Sequence, residues 1–273
     1  MQIVHVSQQR AVRPRRAKMG GALEPPLVSL AVTHVYYSPH DPFSLVSAYL
    51  ALIPQALMVI YVTLIYARRE IEVVLMFAGQ LLCELANWIL KRLIKEDRPK
   101  GTYFPRSWSS WVDEVEILGE GYGMPSSHSQ FMAFFAVYVA LYLLHRYPSP
   151  PSNNYSLLYR TRKTALVIRL LQSTIVLCGA SLVCMSRIYL RYHTPRQVIA
   201  GAGTGAFLGI AWYISVIVLR STGIVDWVLR WRVVEMLWFK DGDIGSLEHD
   251  LYEEWMEWRA QRDKERAAKV KKG

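Results

Sequence analysis

The chain has 273 residues, 52% of them hydrophobic and 20% charged, with a formal net charge of +10. Length alone would suit one or two soluble domains, but no charge interrupts Leu45 to Ala67 or Val198 to Leu219, and uncharged apolar runs beyond about 18 residues are what crossing about 30 Å of hydrocarbon requires. The bases do not mark a nucleic-acid-binding protein either, because they sit in loops beside apolar stretches, where an excess of Lys and Arg reports membrane orientation.

The N-terminal segment carries Arg10, Arg13, Arg15, Arg16 and Lys18 before its first acid, Glu24. It reads as a basic tail, with a transit peptide as the alternative, and Leu27–Val32 is too short for a signal peptide. Five spans follow, at about residues 45–67, 71–94, 128–145, 164–185 and 198–219. The expected fold is therefore an all-α polytopic membrane helix bundle. Its expected divisions are a basic pre-membrane segment over 1–43, a membrane-embedded domain over 44–220, and an interfacial helix with a charged tail over 221–273. The interfacial helix is read from Ile224 to Phe239, where Trp227, Trp231 and Trp238 mix with Arg230, Arg232 and Glu235.

Polar groups within the spans are Glu72, Gln80, Glu84 and Asn87 in the second and Arg169 in the fourth. They should face the bundle, with Glu84 and Asn87 making contacts between helices. Cys83, Cys178 and Cys184 fall in apolar stretches without CxxC spacing and read as small buried hydrophobes, with no disulfide or zinc framework. Gly201, Gly203 and Gly205 at the start of the fifth span suggest close helix packing.

With five crossings, loops 95–127 and 186–197 share one side of the membrane. Residues 146–163 hold Arg146, Arg160, Arg162 and Lys163 and no acid, whereas the bases and acids of Lys91–Glu120 cancel. The positive-inside rule then puts 146–163 and the C-terminus in the cytosol, with the basic N-terminus as the discordant element. Asn154-Tyr155-Ser156 is a glycosylation sequon in that cytosolic loop. Lys269 and Lys271, fifth and third from the end, resemble a retrieval signal of endoplasmic reticulum membrane proteins.

Three segments on the non-cytosolic side concentrate reactive groups. Lys91 and Arg98 are seven residues apart and reach one site if the second helix continues through both, although either could be an interfacial anchor. Pro125-Ser126-Ser127-His128 opens the third span, with Ser127 and Gln130 at capping-box spacing, and a helix start of this kind offers N–H groups to an anion. Ser186-Arg187 and His193 lie between spans four and five, where Thr194, Pro195 and Gln197 fit the N-cap, N1 and N3 positions. A lone histidine here would be structural. Two histidines, three cations and a serine-rich helix start suit phosphoryl transfer, with cations neutralising the phosphoryl oxygens, one imidazole attacking and the other protonating the leaving oxygen. No HExxH or P-loop is present, so no metal and no cofactor is expected.

Lys91–Pro99 resembles the K-x6-R-P motif, Pro125–His128 the P-S-G-H motif and Ser186–His193 the S-R-x5-H motif of the type 2 phosphatidic acid phosphatase superfamily, over residues 45–220. Within it, Gly-Met-Pro-Ser-Ser-His-Ser-Gln-Phe and Tyr-His-Thr most resemble members that hydrolyse dolichyl diphosphate at the lumenal face of the endoplasmic reticulum. The resemblance implies His193 as nucleophile, His128 as the leaving-group acid, and Lys91, Arg98, Ser126 and Arg187 as phosphate ligands. Ser127 replaces the usual glycine and could add a hydrogen bond. Gln197 stands where the superfamily usually has aspartate, and either orients His193 or only pairs with Thr194 in the cap. The implied partners are a polyprenyl (dolichyl) diphosphate and the lipid bilayer. Another lipid phosphate or another polyprenyl diphosphate as substrate, or a non-enzymatic transporter or lipid-binding scaffold, remain the alternatives.

Overall fold

Proline and the membrane together set the first crossing. In the computed structural model, which describes residues 28–30, 35–38, 40–98, 122–146, 162–241, 256–262 and 264, α1 (Pro42–Leu50) starts with Pro42 at N1 and the Asp41 carboxylate accepting from Phe43 N at 3.0 Å. α2 (Ile53–Arg68) follows after a break at Ala51–Leu52. Pro54 explains the break, since its ring cannot sit beneath the Leu50 carbonyl in a continuous helix. The remaining crossings are α3 (Ile71–Ile94), α4 (Ser127–Leu141, extended by a π turn over Tyr142–Arg146), α5 (Arg162–Tyr189) and α6 (Pro195–Ser221). Five helical stretches among the described residues, counting α1 and α2 as one, are long and apolar enough to cross a membrane. They match the expected spans to within a few residues.

Among the described residues the fold is all-helical apart from one unexpected feature. A short antiparallel hairpin, β1 (Val28–Leu30) and β2 (Val35–Tyr37), precedes α1 with Val28 paired to Tyr37. The basic residues before Glu24, the sequon at Asn154 and the terminal lysines lie outside the described residues.

Glycines bring α4 and α6 together. A Cβ on Gly201 would lie 2.6 Å from Ser126 O, one on Gly209 would lie 3.0 Å from Phe134 O, and one on Gly205 would collide with Gln130 O. The spacing is four residues, one face of α6. Gly203, expected to share this role, faces open space. Packing α6 backbone to backbone on α4 fixes where both helix starts lie, and therefore fixes the site. The bundle-facing expectation holds for Glu72, Gln80 and Asn87, all buried, while Glu84 and Arg169 are half-buried. Cys83 is buried as expected, but Cys178 is exposed and Cys184 half-buried, because α5 turns that stretch outward.

At the far end of the bundle, Glu72 accepts from Tyr138 Oη at 2.9 Å and Arg220 Nη2 at 2.6 Å, and pairs with Arg146 Nη1 at 3.1 Å. Arg220 also holds Asp241 at 2.7 Å. This buried carboxylate between two guanidinium groups ties spans two, three and five to the segment after α6. That segment is not the single interfacial helix expected. It is α7 (Ile224–Leu229) and α8 (Arg232–Met236), which bend at Arg230–Trp231 and leave Trp227, Trp231 and Trp238 exposed. The bend returns Lys240 to the α2–α3 corner, where its N–H donates to Arg69 O and its carbonyl accepts from Ile71 N.

Candidate active site

Each functional side chain is delivered by the end of a helix. Lys91 lies in the last turn of α3, but the helix does not continue to Arg98. Lys95 takes a left-handed conformation, φ 52°, and ends it. The expected two-turn alignment is therefore replaced by a reversal that sends Glu96, Asp97 and Arg98 back toward the start of α6. Lys91 and Arg98 still come within electrostatic reach of each other and of Arg187. Glu84, one face of α3 below, reaches Lys91.

The start of α4 also departs from expectation. Its N-cap is the fully buried Ser126, with Ser127 at N1, and no Ser127–Gln130 capping box forms. Gln130 is drawn into α3 instead, where its Nε2 donates to Cys83 O at 2.9 Å and its Oε1 accepts from Asn87 Nδ2 at 2.8 Å. A buried amide this fully bonded across helices has no remaining reason to reach back to the cap. Ser126 N donates to Gln197 O at 3.2 Å, and Ser126 Oγ accepts from Ser129 Oγ at 3.1 Å, which leaves the Ser126 hydroxyl hydrogen free to donate. First-turn N–H groups at Ser127, His128 and Ser129 have no acceptor within the helix. His128 Nε2 is 3.1 Å from Ala51 O, at the break in the first span. A carbonyl can only accept, so Nε2 carries a hydrogen.

The spacing from Arg187 to His193 follows from how α5 ends. Arg191 is left-handed, φ 58°, its N–H donates to Ile188 O, and Tyr192 N donates to Arg187 O at 3.1 Å. These two bonds are a Schellman closure. His193 N also points to Arg187 O, at 3.3 Å, and the Tyr192 ring lies 4.3 Å from the Arg187 guanidinium carbon. The motif thereby folds its nucleophile candidate back over its own arginine. Arg187 is 5% exposed, and its Nε and Nη1 have no hydrogen-bond partner among the described residues. A buried guanidinium in that condition is costly unless an anion joins it.

His193 is 3% exposed and lies just before α6, where Thr194, Pro195 and Gln197 form the expected cap, with the full capping box. Gln197 Oε1 is 3.3 Å from Thr194 N and 3.2 Å from His193 Nδ1, so the cap residue also contacts the imidazole. Its Nε2 donates to Glu96 Oε1 and Asp97 O, each at 2.9 Å. Burial, then Arg187, with Arg98 and Lys91 adding and Gln197 opposing, hold the His193 imidazole down to about 3. Burial also pulls Arg98 below its usual value, partly countered by Tyr192.

The structure thus brings Lys91, Arg98, Ser126, Arg187, His128, His193 and Gln197 to one end of the bundle, with Ser127 half-buried at the mouth of α4. Sequence reasoning missed three participants: Glu96, the Ala51 carbonyl and Tyr192. Pro54 signals the break that presents Ala51, whereas Glu96 stands inside the first motif with nothing in the sequence to mark its partner.

The PAP2 superfamily profile matches residues 71–220. The chain is 38% identical to a "Putative dolichyldiphosphatase" of Neurospora crassa, over 90% of this chain and 97% of that one. It is 37% identical to "Dolichyldiphosphatase 1" of Homo sapiens, over 78% and 81%. Among solved structures it is similar to a transmembrane PAP2-type phosphatidylglycerolphosphate phosphatase from Bacillus subtilis, with TM-score 0.46 and 19% identity over 71% of this chain and 82% of that one. The chain belongs to the PAP2 superfamily. It is a multi-pass membrane enzyme, a hydrolase of the phosphatase class.

Proposed function

We propose that this enzyme hydrolyses dolichyl diphosphate to dolichyl phosphate and phosphate through a phosphohistidine, at the lumenal face of the endoplasmic reticulum, and so returns the lipid carrier to protein N-glycosylation. One observation carries the chemical part: a buried, hydrogen-bond-deficient Arg187 beside a His193 whose Nδ1 is committed to Gln197. Nε2 of His193, carrying its lone pair, attacks the terminal phosphorus, and the bond from that phosphorus to the oxygen of dolichyl phosphate breaks. Lys91, Arg98 and Arg187, with the Ser126 hydroxyl and the first N–H groups of α4, bear the charge on the phosphoryl oxygens. His128, with its Nε2–H held by Ala51 O, gives a proton from Nδ1 to the leaving oxygen once the substrate's charge favours its protonated ring, and regains one from water in the next step. Water then cleaves the phosphohistidine and releases phosphate.

The substrate comes from the curated relatives' names together with a site of three cations, suited to a diphosphate of higher charge than a phosphate monoester. Support for the lumenal face comes from residues 146–163, whose four bases and absent acids the positive-inside rule assigns to the cytosol, opposite the segments that carry the site. Purified enzyme in EDTA, assayed against dolichyl diphosphate, dolichyl phosphate and phosphatidate, tests this reading. Dolichyl diphosphate should be turned over with the highest kcat/KM. Preference for phosphatidate would reassign the substrate, and inactivity on all three would remove the proposal.

A further inference from the structure

We propose that Glu96 is a positioning residue for His193, acting through the side-chain amide of Gln197; this rests on His193 being the nucleophile. The amide has one accepting and one donating end. Two acceptors, Glu96 Oε1 and Asp97 O, lie 2.9 Å from Nε2, and a donor, Thr194 N, lies 3.3 Å from Oε1. The amide therefore has one orientation, with Oε1 toward His193 Nδ1 at 3.2 Å. Because Oε1 only accepts, Nδ1 carries the hydrogen and Nε2 the lone pair.

The superfamily's usual aspartate would put a negative charge directly on the imidazole. Here the carboxylate stands at the far side of the amide, in the chain Nδ1–H to Oε1 and Nε2–H to Glu96. A carboxylate accepting from the amide N–H pushes electron density onto the amide oxygen, so Oε1 becomes a stronger acceptor. That matters most when Nε2 has bonded phosphorus and the ring is cationic. Local structure is arranged for this contact. The left-handed Lys95 turns Glu96 toward α6, Gly123 N donates to Glu96 O at 2.7 Å, and a Cβ on Gly123 would lie 2.7 Å from Gln197 Nε2. Gln197 itself is 1% exposed, so its hydrogen bonds are not shared with bulk water.

The experiment compares E96Q, E96A and the double variant E96Q/Q197D with wild type on dolichyl diphosphate, alongside 15N spectra of histidine-labelled protein. E96Q is isosteric and keeps an acceptor for Gln197, yet lowers kcat about tenfold with KM within about twofold, the scale for groups that orient an imidazole from behind. E96A lowers kcat further and lets the His193 signal divide between tautomers, whereas wild type shows the hydrogen on Nδ1 alone. E96Q/Q197D regains kcat over E96Q, because the new carboxylate meets Nδ1 directly. Wild-type kcat in E96Q with an unchanged tautomer in E96A overturns the inference, as does a loss confined to KM. H193A separates the two levels: if it still turns over, the nucleophile assignment fails, and if it is inactive while the Glu96 variants match wild type, only the role of Glu96 fails.

Discussion

His193 and His128 differ in what their environments leave them to do. His193 has its Nδ1 hydrogen committed to Gln197 and its lone pair on Nε2, while His128 directs its Nε2 hydrogen at Ala51 O. Cleaving a diphosphate expels a phosphate monoester, a far better leaving group than an alcohol, so loss of a leaving-group acid is the milder injury. H193A should abolish turnover, and H128A should retain measurable activity on dolichyl diphosphate; equal losses would remove this division of roles. The depressed basicity of His193 gives a second expectation. With its value lowered to about 3 from the ordinary 6.5, the free enzyme holds this ring neutral as the pH falls from 7 to 5, where an ordinary histidine would be mostly charged. Its 15N resonances should stay fixed over that range. In R187Q, which removes the largest charge acting on it, protonation should begin at a higher pH. A His193 titration near 6.5 in the wild type would contradict the burial and the cation cluster together.

The helices carry a pattern that only their packing reveals. On α6, Gly201, Gly205 and Gly209 meet the backbone of α4, while Gly203 looks outward. G205A should misfold or inactivate the enzyme, because its methyl would collide with the Gln130 carbonyl, a backbone atom that no rotamer change can move aside. G203A should be tolerated and add up to about 1 kcal/mol of helix stability. Melting both variants in the same detergent and assaying each at a permissive temperature would check the pair, and equal tolerance would mean that α4 and α6 do not pack this closely. The sequence showed three glycines together but not which face they share, since the direction of a helix face depends on a neighbour the sequence does not name. The spans themselves were legible because hydrocarbon thickness dictates their length regardless of neighbours. Errors came where a local rule met a tertiary demand. Lys95 stops α3 with a left-handed residue that no glycine announced, Gln130 leaves its cap position for Asn87 and Cys83, and the interfacial segment bends at Arg230–Trp231 so that Lys240 can reach the α2–α3 corner.

Across the whole molecule the two ends of the bundle have opposite chemistry. From Glu72 to Lys91 along α3 is about 29 Å at 1.5 Å per residue. At the Glu72 end the arginines are matched by carboxylates, Glu72 and Asp241, in a neutral clasp. At the Lys91 end, Arg187 keeps guanidinium nitrogens without partners among the described residues. On the proposed function, that contrast, rather than the total of +10, separates charge that holds the fold from charge that meets a substrate. The motifs were legible because each lies within one short segment, whereas Glu96 facing Gln197 joins positions 101 residues apart and could not be read from either. Orientation in the membrane is the property on which the lumenal proposal depends. Residues 146–163 carry four bases and no acid, and on the proposed reading the positive-inside rule assigns them to the cytosol and the Lys91 end of the bundle to the lumen. Asn154 should then carry no glycan, although its sequon is intact. Ser107→Asn makes Asn-Trp-Ser in the long loop after α3, and that variant, expressed in a eukaryotic cell, should gain a glycan removable by endoglycosidase H. A glycan at Asn154, with none gained by Ser107→Asn, would turn the molecule over and put phosphate release on the cytosolic side.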